Sequence, residues 1–301
     1  MPPGTLRRAA LAFAAVLALV AGCSKATAQG TGGATADSAA PASGVPVTGQ
    51  PSAAAPSTPA RPAARAAPAH FSTLPPGASL PSDAQCSAWV RARPVKENKN
   101  VNRRFNQTTG QHVSGSMLSG DGATAARIIA PRVDGQFAGT TGQILRWAAC
   151  KWGIDEDVVK AQAAIESWWR QTTQGDLGTD PTACPPGHPL GSGATAGKCA
   201  QSYGILQTRY PFMKQAWPAA ERSTAMNADV AYAFWRSCFE GYETWLNTVE
   251  RGRTYAKGDL WGCVGRWFSG RWHTADSESY IARVRDYLRQ RIWEQPDFQE
   301  A

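Results

Sequence analysis

Several things are missing from this 301-residue chain, and each absence closes a class of reading. It has four histidines, scattered, and no C-x-x-C, so a zinc site of ordinary spacing is not expected. Ser192 to Lys198 superficially resembles a phosphate loop. Ser192 and Cys199 stand where that loop needs its first glycine and its Ser/Thr, so the motif fails. No nucleic-acid motif accompanies the net charge of +8. Strand-like alternation of any length is absent, and beyond the first residues no apolar run is long enough to cross a bilayer as a helix. The expectation is a mainly α protein that needs no metal and no cofactor and does not bind nucleic acid.

What is present falls into four stretches, 1–22, 23–79, 80–139 and 140–296. Arg7 and Arg8 precede the apolar run Ala9 to Val20, and Val20-Ala21-Gly22-Cys23 resembles a lipoprotein cleavage box. Cys23 is then the lipidated N-terminus of an exported protein anchored to a membrane of the cell envelope. From Ala26 to about Pro76 the chain is almost all Ala, Gly, Ser, Thr and Pro. It has too little apolar surface to offset ordering entropy and is expected to be a disordered tether. About fifty such residues reach on the order of 40 Å when relaxed. Residues 80–139 form an N-terminal extension packed on the domain that follows. Within it Asp83 is a candidate cap for DAQCSAWVRAR.

From Thr141 the pattern is helical. Thr141 is a candidate cap for GQILRWAACKW, which stops at Gly153. Thr172 to Lys198, with six glycines and four prolines, reads as a loop. Further helices are expected over 223–248, 260–268 and 277–295. Setting Cys23 aside leaves Cys86, Cys150, Cys184, Cys199, Cys238 and Cys263. Six cysteines in an exported domain suggest three disulfides out of fifteen possible pairings. Neighbourhood favours Cys184 with Cys199 and Cys238 with Cys263, which leaves Cys86 with Cys150.

The helix GIDEDVVKAQAAIESWWR carries the chemistry. Asp155 is a plausible N-cap, with Glu156 and Asp157 on the positive end of the dipole. Val159, Ala163 and Glu166 share one stripe, so Glu166 continues an apolar face. A carboxylate there is partly desolvated, which raises its pKa and favours the protonated form a general acid needs. Trp168, Trp169, Trp261, Trp267 and Trp272 lie on or near the candidate motifs, and aromatic faces suit sugar rings.

Glu166-Ser167 closing that helix, Gly204-Ile205-Leu206-Gln207, Trp267-Phe268-Ser269-Gly270 and Tyr280-Ile281 occur in an order that resembles the lysozyme-like, soluble-type lytic transglycosylases. The resemblance covers about half the chain, Thr140 to Trp293. It implies a lysozyme-like fold and cleavage of peptidoglycan glycan strands to 1,6-anhydro products, with Glu166 as acid and then base. It also implies that Ser167 steadies the glutamate, Gly204 permits close backbone approach and Gln207 helps form the cleft. Tyr203 is placed on the cleft wall, Trp267 and Ser269 beside the substrate, and Tyr280 close to the glutamate. The family's turn ordinarily carries Asn where Ser269 stands, so that contact is altered here. Two alternatives stand beside this reading. One is a hydrolytic muramidase on the same fold, using Asp176 or Asp180 to direct a water. The other is a non-catalytic wall-binding lipoprotein.

Overall fold

The structure is a computed structural model that describes residues 66–299. The signal segment 1–22, the lipidation site Cys23 and most of the linker lie outside the described residues. What is described is mainly helical, with one small three-stranded sheet.

Helix α1 spans Asp83–Arg91 and is capped by Ser82, whose hydroxyl accepts from Gln85 N; Asp83 is the first helical residue instead of the cap. Helix α2, Thr141–Trp152, begins one residue earlier than expected, because Thr140 and not Thr141 is its cap. The Thr140 side chain accepts from Gln143 N while the Gln143 amide accepts from Thr140 N. This reciprocal box satisfies two orphan donors. Gly153, in the left-handed region at φ +59°, stops the helix. Helix α3 spans Glu156–Ser167, and Asp155 caps it by accepting from the amides of Asp157 and Val158.

Helix α4, Thr224–Phe239, is buried on every side and forms the axis of the core. It stops well before Thr248, at a turn in which Gly241 sits at φ +90°. Helices α5, Leu260–Ser269, and α6, Ala275–Gln290, complete the layer around it. Arg291 at φ +44° ends α6 short of Gln295, and Ile292–Glu294 continues as a single tight turn. Helix α2 packs on α4, α3 on α6, and α5 on α6.

The extension 80–139 is not a separate body. Lys151, fully buried on α2, donates to Asp229 of α4 at 2.8 Å and to Asp134 at 2.9 Å, and pairs with Asp83 at 2.9 Å. Asp229 also accepts from the amides of Asp134 and Gly135 and from Trp152 Nε1. A buried charge is tolerated only when paired and hydrogen-bonded this fully. The Cys86–Cys150 disulfide ties the same surfaces together. Cys184–Cys199 and Cys238–Cys263 are also joined, with Cα atoms 5.8 and 5.7 Å apart.

Two expectations are corrected here. Residues 71–79, tether by composition, pack on the domain: Phe71 is buried, Phe71 O accepts from Glu156 N, and Leu74 N donates to Gly153 O. One aromatic ring and paired backbone groups offset the ordering cost that composition alone made decisive. The glycine-rich loop also contains a strand. β1, Gln174–Gly178, runs antiparallel to β2, Cys199–Tyr203, which pairs with β3, Thr208–Arg209. QGDLG has little strand propensity of its own. Its register is held by β2 and by the Cys184–Cys199 bond, which closes the long connection between them.

Candidate active site

Glu166 is the penultimate residue of α3. The helix does not end on glycine: Trp168 and Trp169 both lie in the left-handed region, at φ 58° and 61°. Bulky residues enter that region at a cost, so the packing must impose it. Trp169 Nε1 donates to Lys160 O at 2.9 Å, and both indoles pack on Phe298. This turn directs the chain away at the point where Glu166 meets the cavity.

The Glu166 carboxyl sits among α3, α5, α6 and the segment between β2 and β3. Tyr280 of α6, buried, donates its hydroxyl to Glu166 Oε1. Phe268 lies flat on the Tyr280 ring, with centroids 4.8 Å apart and planes 3° apart. Burial pushes the Glu166 carboxyl up to about 7, and the nearby Asp176 charge adds to this, while the Tyr280 hydroxyl and the Arg283 charge oppose it. An acid of this kind is available in both protonation states near neutrality, as proton donation followed by abstraction requires.

The segment 204–207 is built from backbone constraints. Gly204 sits at φ +85°, and a Cβ there would lie 2.3 Å from Asn227 Nδ2. Asn227 on α4 accepts from Leu206 N and donates to Tyr203 O, which locks the turn onto the core. Leu206 O accepts from Trp267 Nε1 at 3.1 Å. Gln207, at φ +54°, donates to Gly204 O and Thr173 O. Gly204 and Gln207 thus shape the cleft through the main chain.

A groove of about 1000 Å³ opens over this arrangement. Glu166, Asp176, Gln207, Trp267, Phe268 and Ser269 all face it. Of the two candidate second carboxylates, the fold brings only Asp176 to the groove, where it accepts from the Ser202 hydroxyl. Asp180 is turned to Thr182, whose amide and hydroxyl it accepts at 2.9 and 2.7 Å.

One sequence-derived placement changes, that of Tyr203, and those of Ser167 and Ser269 become specific. Ser167 is buried and hydrogen-bonds to the main chain, donating to Ile205 O at 2.8 Å and accepting from Arg170 N. It fastens the end of α3 to the 204–207 turn. Tyr203 is buried on β2 between His188 and Trp217, with centroid distances of 5.0 and 6.2 Å, so it belongs to the core. Ser269 faces the groove, but its hydroxyl caps α5, contacting Gly265 O, Arg271 N and Ser277 Oγ. Among the motif tryptophans, Trp169 and Trp272 are buried and Trp267 reaches the groove.

The groove also holds residues that sequence patterns did not single out. Phe212, 68% exposed, follows β3 in a short Tyr210–Phe212 turn, with the Arg209 guanidinium over its ring. Ser116, Met117 and Asp121 come from the N-terminal extension. Nothing in their local sequence marks them, since the segment is neither periodic nor rich in reactive side chains.

Among the described residues His70, Glu156 and Asp157 bring potential metal ligands within 4.8 Å of one another. Glu156 is already held by Arg146 and Lys160, and Asp157 by Lys160 and Arg291. Three cations around two carboxylates oppose a metal ion there.

No helix among the described residues is long and apolar enough to cross a membrane. The three disulfides are compatible with an exported protein. No family model, no curated protein and no solved structure matches this chain.

Proposed function

We propose that this chain is a lysozyme-like lytic transglycosylase of the soluble type, exported and lipid-anchored through Cys23, which cleaves peptidoglycan between N-acetylmuramic acid and N-acetylglucosamine. One observation carries the proposal: a single glutamate, held near neutral pKa by partial burial, stands at an open groove with Tyr280 on its carboxyl. The order of motifs and the mainly helical scaffold support it.

In the first step Glu166 protonates the glycosidic oxygen. The substrate's own N-acetyl carbonyl attacks the anomeric carbon as the bond to the leaving sugar breaks. Glu166, now a carboxylate, takes the proton from the C6 hydroxyl of the muramoyl sugar. That oxygen displaces the acetamido oxygen, closing a 1,6-anhydro ring and returning the proton to Glu166. Tyr280 orients the carboxyl in both states. Burial pushes the Tyr280 hydroxyl well above the ordinary tyrosine range, so it remains a donor throughout.

Asp176 favours a second reading. Its carboxylate faces the same groove, where it could direct a water to the anomeric carbon and make the enzyme a hydrolase. Mass spectrometry of digested peptidoglycan separates the two. Anhydro-muropeptides, lighter by one water, are expected from the wild type and not from Glu166→Gln. Ordinary reducing ends would replace the lyase with the hydrolase. A folded wild type that binds the wall and releases nothing would leave a wall-binding lipoprotein.

A further inference from the structure

One side of the groove comes from outside the region that carries the motifs. Ser116, Met117, Ser119 and Gly120 face the same cavity as Glu166. They belong to residues 114–122, SGSMLSGDG. Six of these nine residues are glycine or serine, so the backbone has high entropy to lose and no strong local preference. Its order must come from anchors.

Met117 and Leu118 supply apolar anchors, since both are buried. Asp121 supplies a different kind. It is 5% exposed and stands beside Glu243, which is fully buried just beyond α4. Glu243 accepts from Arg266 Nε of α5, and the Arg266 guanidinium lies 5.5 Å from the Phe234 ring centroid and 5.4 Å from that of Trp245. Asp121 Oδ1 accepts from Trp245 Nε1 at 3.4 Å. The other polar groups against the cluster are the Ser237 hydroxyl beside Asp121 and the Tyr255 hydroxyl, which donates to Cys238 O and accepts from Glu243 N.

Asp121 Oδ2 and Glu243 Oε1 are buried and have no N–H donor among the described residues, and the Ser237 hydroxyl stands against Asp121. The two carboxyl groups are in hydrogen-bonding contact with each other. Two ionised carboxylates have only acceptors to offer, so this contact requires a proton. With one proton kept, two acids and one guanidinium sum to zero charge, which is the inexpensive state for a closed site.

We propose that the Gly115–Asp121 segment is a substrate-contacting wall of the groove, and that Asp121 is its positioning residue, pinned to Glu243 and Arg266 through a shared proton. The proposal rests on the groove binding a glycan strand. Losing the proton would leave two carboxylates against one guanidinium, and Asp121, which borders the cavity, is the member able to turn outward to water. The wall would then loosen while Glu166 and its neighbours stay in place. Burial pushes the Glu243 carboxyl up to about 8, with Arg266 opposing and Asp121 reinforcing, so the loosening belongs to the alkaline side of neutrality.

The test uses the full chain carrying Glu166→Gln, which separates binding from cleavage. The probe is a tetrasaccharide of alternating N-acetylglucosamine and N-acetylmuramic acid, with Kd measured by calorimetry across pH. Adding Asp121→Ala should raise Kd about tenfold, with faster amide exchange confined to residues 114–122. With Asp121 present, Kd should rise as pH passes about 8. Glu243→Gln, which offers Asp121 a donor at every pH, should flatten that profile. Should Asp121→Ala fail to fold, Gly120→Phe serves instead. A Cβ at Gly120 meets nothing within 4 Å, so a ring added there should narrow the groove and raise Kd without disturbing the core. The proposal is overturned by a parent that does not bind the tetrasaccharide, by a Kd flat through pH 8 with Glu243 intact, or by exchange that spreads into the helical core. A parent that binds, beside a wild type that releases no product, removes the lyase and leaves the wall to be judged on Kd.

Discussion

Glu166 and Glu243 are two carboxyl groups pushed up by burial, to about 7 and about 8. Their surroundings differ. Glu166 borders an open groove and has one hydroxyl donor, Tyr280. Glu243 has no exposed surface, and its partners are Arg266 and Asp121. A raised pKa by itself therefore does not identify a catalytic acid. Access to a groove, with a donor that orients the group without neutralising it, distinguishes the chemical role from the structural one.

The largest expected effect separates the two directly. Glu166→Gln should lower product formation by about a thousandfold or more while leaving thermal unfolding close to wild type, as read by mass spectrometry and calorimetry. Glu243→Ala should act chiefly on stability, lowering product formation far less than Glu166→Gln does. Removing Glu243 takes away the carboxylate that accepts from Arg266 and leaves a cavity, at a cost of about 3–5 kcal/mol in denaturant unfolding. If Glu243→Ala abolished turnover at unchanged stability, the contrast between the two acids would collapse.

A smaller effect sharpens the Glu166 side. Tyr280→Phe removes the hydroxyl that favours the ionised carboxylate, so the Glu166 pKa should rise further. The alkaline limb of the kcat/KM profile should move to higher pH, with kcat down roughly tenfold because the carboxyl loses its orientation. An unmoved limb would mean that the hydrogen bond does not set the acid.

The smallest effect is on stability against pH and involves both acids at once. Each keeps, in the folded state, a proton that the unfolded chain releases near the ordinary glutamate value of 4.5. Stability from this source is fully present below that value and declines as pH rises through about 7 and then about 8. Glu156, Asp157 and Asp259 are held below their ordinary values despite burial, chiefly by Lys160, Arg146, Arg291, His273 and the Gly262 amide, so they act in the opposite sense at acid pH. A melting temperature that climbed steadily from acid to alkaline pH would contradict the pair of raised glutamates.

The parts legible in advance were those that local chemistry dictates. The Asp155 cap, the stop at Gly153 and the stripe that places Glu166 on an apolar face are properties of a few neighbouring residues. Two cysteine pairings followed from neighbourhood because nearby cysteines close short loops, and Cys86 with Cys150 was the pair that remained. Strand β1 was not legible, since QGDLG pairs only because β2 and a disulfide hold it there. Nor were the inward turns of Ser167 and Tyr203, because a residue next to a motif shares its position in the chain and not its orientation.

By itself the sequence determined the main helical elements, the Asp155 cap, the stop at Gly153 and the identity of one desolvated glutamate, because each depends on periodicity or on groups within a few residues. Tertiary structure alone decided that Asp176 and not Asp180 faces that glutamate's groove, that Ser167 and Tyr203 turn inward, and that Gly115–Asp121 supplies a wall. The physical reason is that these placements rest on contacts between residues far apart in the chain. Asp121 meets Glu243 and Arg266 only once α4 and α5 have packed, and no local pattern encodes a partner more than a hundred residues away.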